Sequence, residues 1–216
     1  ERGRERERER DNDVDQRVKS ILLNEAARSL DIAFSLGWTP PNPLFHRALI
    51  AYDLGDIEVA VSLLRLALER VRDIERSGAV LVQDSLDAYV IINQLGVILQ
   101  TAGRLEEAED VYEQGMSMSG GERLELLVNY GGLLRDVGKT EKSREILVKC
   151  LNMPFPAPTA ALNSLALMAR DSGDLEKAYQ LFTEALDKVI HVSDHPFISV
   201  IQMNIKETYE MMNGLN

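Results

Sequence analysis

A chain of 216 residues with 24 Lys and Arg against 35 Asp and Glu, a net −11, is long enough to bury a core. Its mean field would repel a polyanion, which excludes nucleic acid as a partner. It is 45% hydrophobic and 6% aromatic, the profile of an acidic, helix-rich domain, and its single Cys150 allows no intrachain disulfide. No apolar run approaches the roughly 20 residues that cross a bilayer, so the expected home is the cytosol or nucleus, with no membrane partner.

The chain opens on Glu1 rather than Met, which reads as a piece of a longer product. Residues 1–10, ERGRERERER, hold five Arg and four Glu with no apolar anchor, and 1–13 is expected to be a disordered mixed-charge tail. Without that tract, 19 basic and 31 acidic residues remain, a net −12. An amphipathic helix is predicted from Val14 to Leu36, within a segment 14–38, stopped by Gly37 and by Pro40, Pro41 and Pro43.

Four glycines then head one short phrase: Gly55-Asp-Ile-Glu-Val-Ala60, Gly103-Arg-Leu-Glu-Glu-Ala108, Gly138-Lys-Thr-Glu-Lys-Ser143 and Gly173-Asp-Leu-Glu-Lys-Ala178, spaced 48, 35 and 35 residues apart. Three residues after each glycine stands a Glu, where negative charge complements the dipole of a starting helix. A small residue follows at plus five, a large one at plus nine (Leu64, Tyr112, Leu147, Phe182) and a small one at plus twelve (Ala67, Gly115, Cys150, Ala185). Upstream, a small residue stands at minus seven (Ala48, Gly96, Gly131, Ala166) and an apolar one at minus four (Ala51, Leu99, Leu134, Ala169). Two antiparallel helices joined by a tight turn approach closely only where small side chains separate their backbones, and glycine suits a left-handed helix end. The wider first spacing predicts a longer second helix through Val71 and Ile74.

This pattern resembles the tetratricopeptide repeat, a helix-turn-helix of about 34 residues with the signature W-x2-L-G-x2-Y, A-x3-F and P. Leu95-Gly96-x2-Leu99 with Ala108-x3-Tyr112 carries the resemblance best, and it covers 41–191. The signature Trp is missing, Arg47 stands at a Leu position in the first unit, and Pro154 matches the terminal Pro only approximately. Ser193-Asp194-His195-Pro196 is similar to the junction of the longer repeats, about 42 residues, of kinesin light chains. The resemblance implies an all-α solenoid, a right-handed superhelix of four hairpins over 41–191, with a groove lined by the first helix of each pair. A closing helix within 192–216, with Ile198, Ile201, Ile205 and Met212 on one face, reads as a cap or partial fifth repeat.

Catalytic constellations are scarce. Cys150 falls at a small core position, and His46, His191 and His195 do not gather; His191 and His195 stand four apart, but in a junction and without the third ligand that zinc needs. Gly120-Gly121 and Gly131-Gly132 lack the spacing of a phosphate loop, and Glu106 and Glu107 sit at a solvated helix start. The expectation is no enzyme, no metal and no cofactor.

The recurrent polar residue is asparagine. Asn93, Asn163 and Asn204 stand ten residues before Gly103, Gly173 and Gly214, and Asn129 nine before Gly138. An amide can pair with both the C=O and N–H of an extended peptide, each pair contributing about 0.5–1.5 kcal/mol net. The alternative is that each Asn bonds a neighbouring helix end. Asparagine ladders are a feature of the repeats of O-GlcNAc transferases, and kinesin light chain repeats carry similar ones. The carboxylate clamp of chaperone-binding repeats has no Lys or Arg here near Tyr89, Val90, Val97 or Leu126.

The expected function is a scaffold that holds an extended, neutral or basic segment of a partner protein along Asn93, Val97, Gln100, Asn129, Leu133, Asn163, Leu167, Arg170 and Asn204. Two alternatives stand beside it. One is the substrate-selecting arm of a larger enzyme such as an O-GlcNAc-transferase-like glycosyltransferase; the other is an oligomerisation module built on the terminal helices.

Overall fold

The computed structural model describes residues 2–37, 39–77, 86–118, 123–153, 157–192 and 197–214, with the side chains of 2–16 and 157 excepted. Among these residues there are ten α-helices and no strand: α1 (Arg2–Ser35), α2 (Pro41–Asp53), α3 (Ile57–Arg76), α4 (Ala88–Thr101), α5 (Leu105–Met116), α6 (Leu124–Asp136), α7 (Thr140–Cys150), α8 (Ala157–Asp171), α9 (Leu175–Val189) and α10 (Phe197–Met212). The chain divides into two compact units, Glu1–Ala102 and Gly103–Asn216, a division that falls at the hinge of the second helical pair. None of the described helices is long and apolar enough to cross a membrane.

Each hinge glycine has a positive φ: 86° at Gly55, 75° at Gly103, 78° at Gly138 and 83° at Gly173. An added Cβ would meet nothing within 4 Å at any of them, so backbone conformation rather than space demands glycine there. The residue after the hinge donates its N–H to the carbonyl at minus four: Asp56 to Ala51 at 2.8 Å, Lys139 to Leu134 at 2.7 Å and Asp174 to Ala169 at 2.9 Å. This six-to-one bond satisfies a carbonyl that the helix end would leave open.

In the first unit α2 and α3 form a hinged pair, α4 packs on α3, and α1 packs on α2. Ala48, Ala51, Ala60, Leu64, Ala67 and Val71 are wholly buried between these helices. Asn42 at the start of α2 accepts the backbone N–H of Leu86 at 3.0 Å, tying the approach to α4 back onto the first pair. Pro41 and Pro43, read above as helix stops, occupy the first turn of α2, where a missing N–H costs nothing.

The first unit also accounts for Arg47. Its guanidinium forks onto Asp31 of α1, with Nε donating to Oδ1 at 2.9 Å and Nη2 to Oδ2 at 3.2 Å. Where the repeat pattern expects Leu to meet a preceding helix, an ion pair makes the junction with α1. The backbone of α1 is helical from Arg2, which corrects the expectation of a disordered 1–13 tail. Arg and Glu are good helix formers, and a helix already nucleated downstream needs only to propagate through them.

In the second unit α5 packs on α6, α6 pairs with α7, α7 leads to α8, α8 pairs with α9, and α10 closes on α9. The offsets counted from the hinges are all buried here: Ala108, Ser143 and Ala178 at plus five, Tyr112, Leu147 and Phe182 at plus nine, and Cys150 and Ala185 at plus twelve are each 0% exposed. Ser143 is the polar member of this set, and its hydroxyl donates to the Gly131 carbonyl at 2.7 Å across the contact of α6 and α7. Leu162, Ala166, Phe182, Val189 and Ile201 share one core cluster, against which Ile198 and Ile205 of α10 lean. Met212 does not join them; it is 44% exposed.

Tyr130, at another Leu position of the pattern, donates to Glu113 Oε1 at 3.0 Å, and Lys142 donates to the same oxygen at 2.8 Å. Three helices thus meet at one carboxylate. The hydrogen bond from Lys142, then that from Tyr130, holds the Glu113 carboxyl below its ordinary range. Tyr112 stacks obliquely on Tyr130, ring centroids 5.8 Å apart, but its own buried hydroxyl has no hydrogen-bond partner among the described residues. Burial alone pushes that phenol well above its usual pKa. An unsatisfied buried hydroxyl costs about 1–3 kcal/mol, and Phe182 fills the equivalent site without one. Tyr112→Phe is therefore expected to raise the unfolding free energy by about 1 kcal/mol, read as a higher urea midpoint at unchanged slope.

Candidate functional site

The first helices of the second unit are α6, α8 and α10, and α6 packs on α8. Counted back from each hinge, positions minus ten, minus six and minus three recur at helical spacing and fall on one stripe. In α8 these are Asn163, Leu167 and Arg170, all half-buried. Leu167 leans on the core cluster, so its outward surface is the remainder of a residue that already packs.

Asn204 of α10 is 6% exposed, and its Nδ2 donates to Asn163 Oδ1 at 3.1 Å. The amides of neighbouring first helices therefore meet each other. Asn204 is buried and bonded to its neighbour rather than open on the surface, which corrects its place in the expected ladder. Asn163 gives its carbonyl oxygen to that bond, and its Nδ2 donors have no partner among the described residues. Thr208, one turn on, is wholly buried and donates back to the Asn204 carbonyl at 2.7 Å.

Arg170 is held from two sides. Its Nη1 donates to Glu207 Oε2 of α10 at 3.1 Å, and its guanidinium carbon lies 5.8 Å from the Phe182 ring centroid. A guanidinium so placed has its charge compensated and its orientation limited by a buried ring.

In α6 the expected contacts need correcting. Leu133 is 0% exposed and belongs to the core. Its distance from Gly138 is that of Ile98 from Gly103 and Met168 from Gly173, which are 0% and 4% exposed. Asn129 stands one residue, about 100° of helix rotation, away from the register of Asn163. The positions that match α8 are Val128, Gly132 and Arg135, all half-buried. An added Cβ at Gly132 would meet nothing within 4 Å, so the stripe is open there. Arg135 donates to Asp136 Oδ1 through Nη2 at 2.6 Å and Nε at 3.1 Å. Residue type, followed from one Asn to the next, passes over Gly132 and Arg135; counting from the hinge reaches both.

In the first unit Asn93, Val97 and Gln100 lie half-buried along α4 at the same three offsets. They form a stripe of their own.

Among the described residues nothing gathers as a reaction centre would. Cys150 is buried, its thiol donates to the Ile146 carbonyl at 3.4 Å, and burial pushes its pKa up, away from a reactive thiolate. His46 and His191 are exposed on separate helices. Among the described residues no three His, Cys, Asp or Glu side chains are placed to hold a metal ion. His195 and the rest of Ser193–Pro196, together with Pro154 and Gly120-Gly121, lie outside the described residues.

Against known proteins, residues 90–119 and 161–195 each match a family model described as a tetratricopeptide repeat. No curated protein sequence matches the chain. Among solved structures, BtubC (BKLC) from P. vanneervenii is similar over 88% of this chain and 83% of its own, with a TM-score of 0.64 at 18% identity. The apo form of the quorum sensor NprR from B. thuringiensis gives a TM-score of 0.64 at 16% identity over 88% of this chain, which spans 52% of that protein's length. A putative kinesin light chain from Podosopora anserina with nearly identical TPR-like repeats gives 0.55 at 17% identity, covering 80% of this chain and 86% of its own. These likenesses are of fold. The small-to-large rule that positions α4 to α9 around their glycines is that of one repeat, and residues 90–119 and 161–195 are tetratricopeptide repeats.

Proposed function

We propose that the chain is a non-catalytic scaffold that holds an extended segment of another protein against the first-helix stripes. Tetratricopeptide repeats generally mediate protein–protein interaction, and their stacked first helices offer elongated binding surfaces. The observation that carries the reading is Asn163: half-buried, oriented through its oxygen by Asn204, and left with two N–H donors beside Leu167 and Arg170. Donors held in place lose less entropy on binding than free ones, and a backbone carbonyl is the acceptor that any extended segment supplies.

Charge narrows the partner. The chain carries −11 overall, and the two arginines of the second-unit stripe are already matched to Asp136 and Glu207. A neutral or basic segment meets this surface without like-charge cost. Asn93, Val97 and Gln100 of α4 offer the first unit a comparable stripe.

The test is selection of random peptides of about twelve residues, long enough to cross two helices, against the whole chain, followed by titration into variants. Asn163→Ala is expected to weaken the selected peptide about fivefold to tenfold, and Asn204→Ala to weaken it through loss of orientation. Helical content should be unchanged. A selected peptide that binds Asn163→Ala and Arg170→Ala as tightly as the parent chain refutes the reading.

A further inference from the structure

Helix α1 is apolar on two opposite faces. The inner face, with buried Ala27 and half-buried Leu23, Leu30 and Phe34, packs toward α2. At about 100° per residue, Val18, Ile21, Leu22, Ile32 and Leu36 fall on the other side, and they are exposed by 50%, 58%, 60%, 63% and 81%. A surface helix of a monomer needs one apolar stripe, and the second one has no covering element among the described residues.

Two charges interrupt the outer stripe at its middle. Glu25 and Arg28 are both exposed, and neither makes an ion pair with a described residue. They stand symmetrically about the point between Ala26 and Ala27, as do Ile21 and Ile32. A two-fold axis through that point sets Ile21 against Ile32 of the other copy and Glu25 against Arg28, each twice. A parallel pairing in register would set Glu25 against Glu25 and Arg28 against Arg28, which is repulsive. At these two pairs the pattern is complementary to its own inverse, as an isologous interface requires, while the same axis sets Val18, Leu22 and Leu36 opposite Ser35, Asp31 and Arg17.

We propose that two copies of this chain associate through the outer face of α1, antiparallel, with the axis between Ala26 and Ala27. The contact runs from Arg17 to Leu36, 20 residues or about 30 Å of helix, and includes no residue of the α8 stripe, so its failure and that of the groove reading are separable.

Sedimentation equilibrium of the full chain over a concentration series tests it, with far-UV circular dichroism to confirm that each variant keeps its helices. The mass is expected to rise toward twice 24.2 kDa. The double variant I21E/I32E, and E25R and R28E separately, should each raise the dissociation constant by roughly tenfold or more. An equimolar mixture of E25R and R28E should regain the parental affinity, because each introduced charge then faces its opposite. A monomer at every concentration overturns the proposal, as does a dimer indifferent to I21E/I32E. Charge variants that dimerise like the parent, or a mixture no tighter than its components, overturn the antiparallel register.

Discussion

Replacing Phe182 with alanine is expected to destabilise the second unit by about 3–5 kcal/mol, read from urea unfolding followed by circular dichroism. The side chain is 0% exposed and sits among Leu162, Ala166, Ala169, Ala178 and Ala185. Four of the seven other buried members of its core cluster are alanines, which have no side-chain torsions with which to fill the space a lost ring leaves. The cavity would therefore persist, and its cost adds to the lost transfer energy. Phe182→Leu, which keeps most of the volume, should cost less than half as much. The same ring lies beneath the Arg170 guanidinium, so Phe182→Leu also tests whether the stripe on α8 depends on its floor. An unfolding midpoint unmoved by Phe182→Ala would mean that the plus-nine position does not anchor the pair.

Gly131 and Gly132 are adjacent in α6 and are expected to respond to substitution in opposite directions. A Cβ on Gly131 would lie 2.8 Å from Leu147 Cδ2 and 2.9 Å from its Cγ, and Leu147 is wholly buried in the facing helix α7. Valine there brings two further methyl groups into the same contact, so Gly131→Val should cost about 3 kcal/mol, the upper end of overpacking. Gly131→Ala is milder, because about 1 kcal/mol of helix propensity offsets the crowding. Gly132 has open space above it, so Gly132→Ala keeps the propensity gain and should stabilise by about 0.5–1 kcal/mol. Two neighbouring glycines with equal effects would contradict the close approach of α6 and α7.

These contrasts show why the core was readable in advance and the site was not. Antiparallel helices joined by a three-residue turn have little freedom: the hinge sets where the two axes cross, and the crossing sets which positions must be small. Ala48, Gly96, Gly131 and Ala166 therefore stand at one offset, and all are buried. The stripe obeys the same geometry, but the asparagines that marked it are scattered by one residue in α6. Following residue type led to Leu133, which the core takes; following the offset leads to Gly132 and Arg135. Arg47 was legible only as a departure, since its partner Asp31 lies on a helix outside the repeat pattern.

From the amino-acid order alone came the helical class, the hinges, the buried register of the pairs and the family they resemble, because each depends on contacts between residues close along the chain. Tertiary structure decided what Asn204 does, what holds Arg170, and which face of α1 is left bare. Those outcomes turn on side chains brought together from 16 to 41 positions apart, as with Asp31 and Arg47 or Asn163 and Asn204. No local period records such a meeting; it exists once the helices have packed.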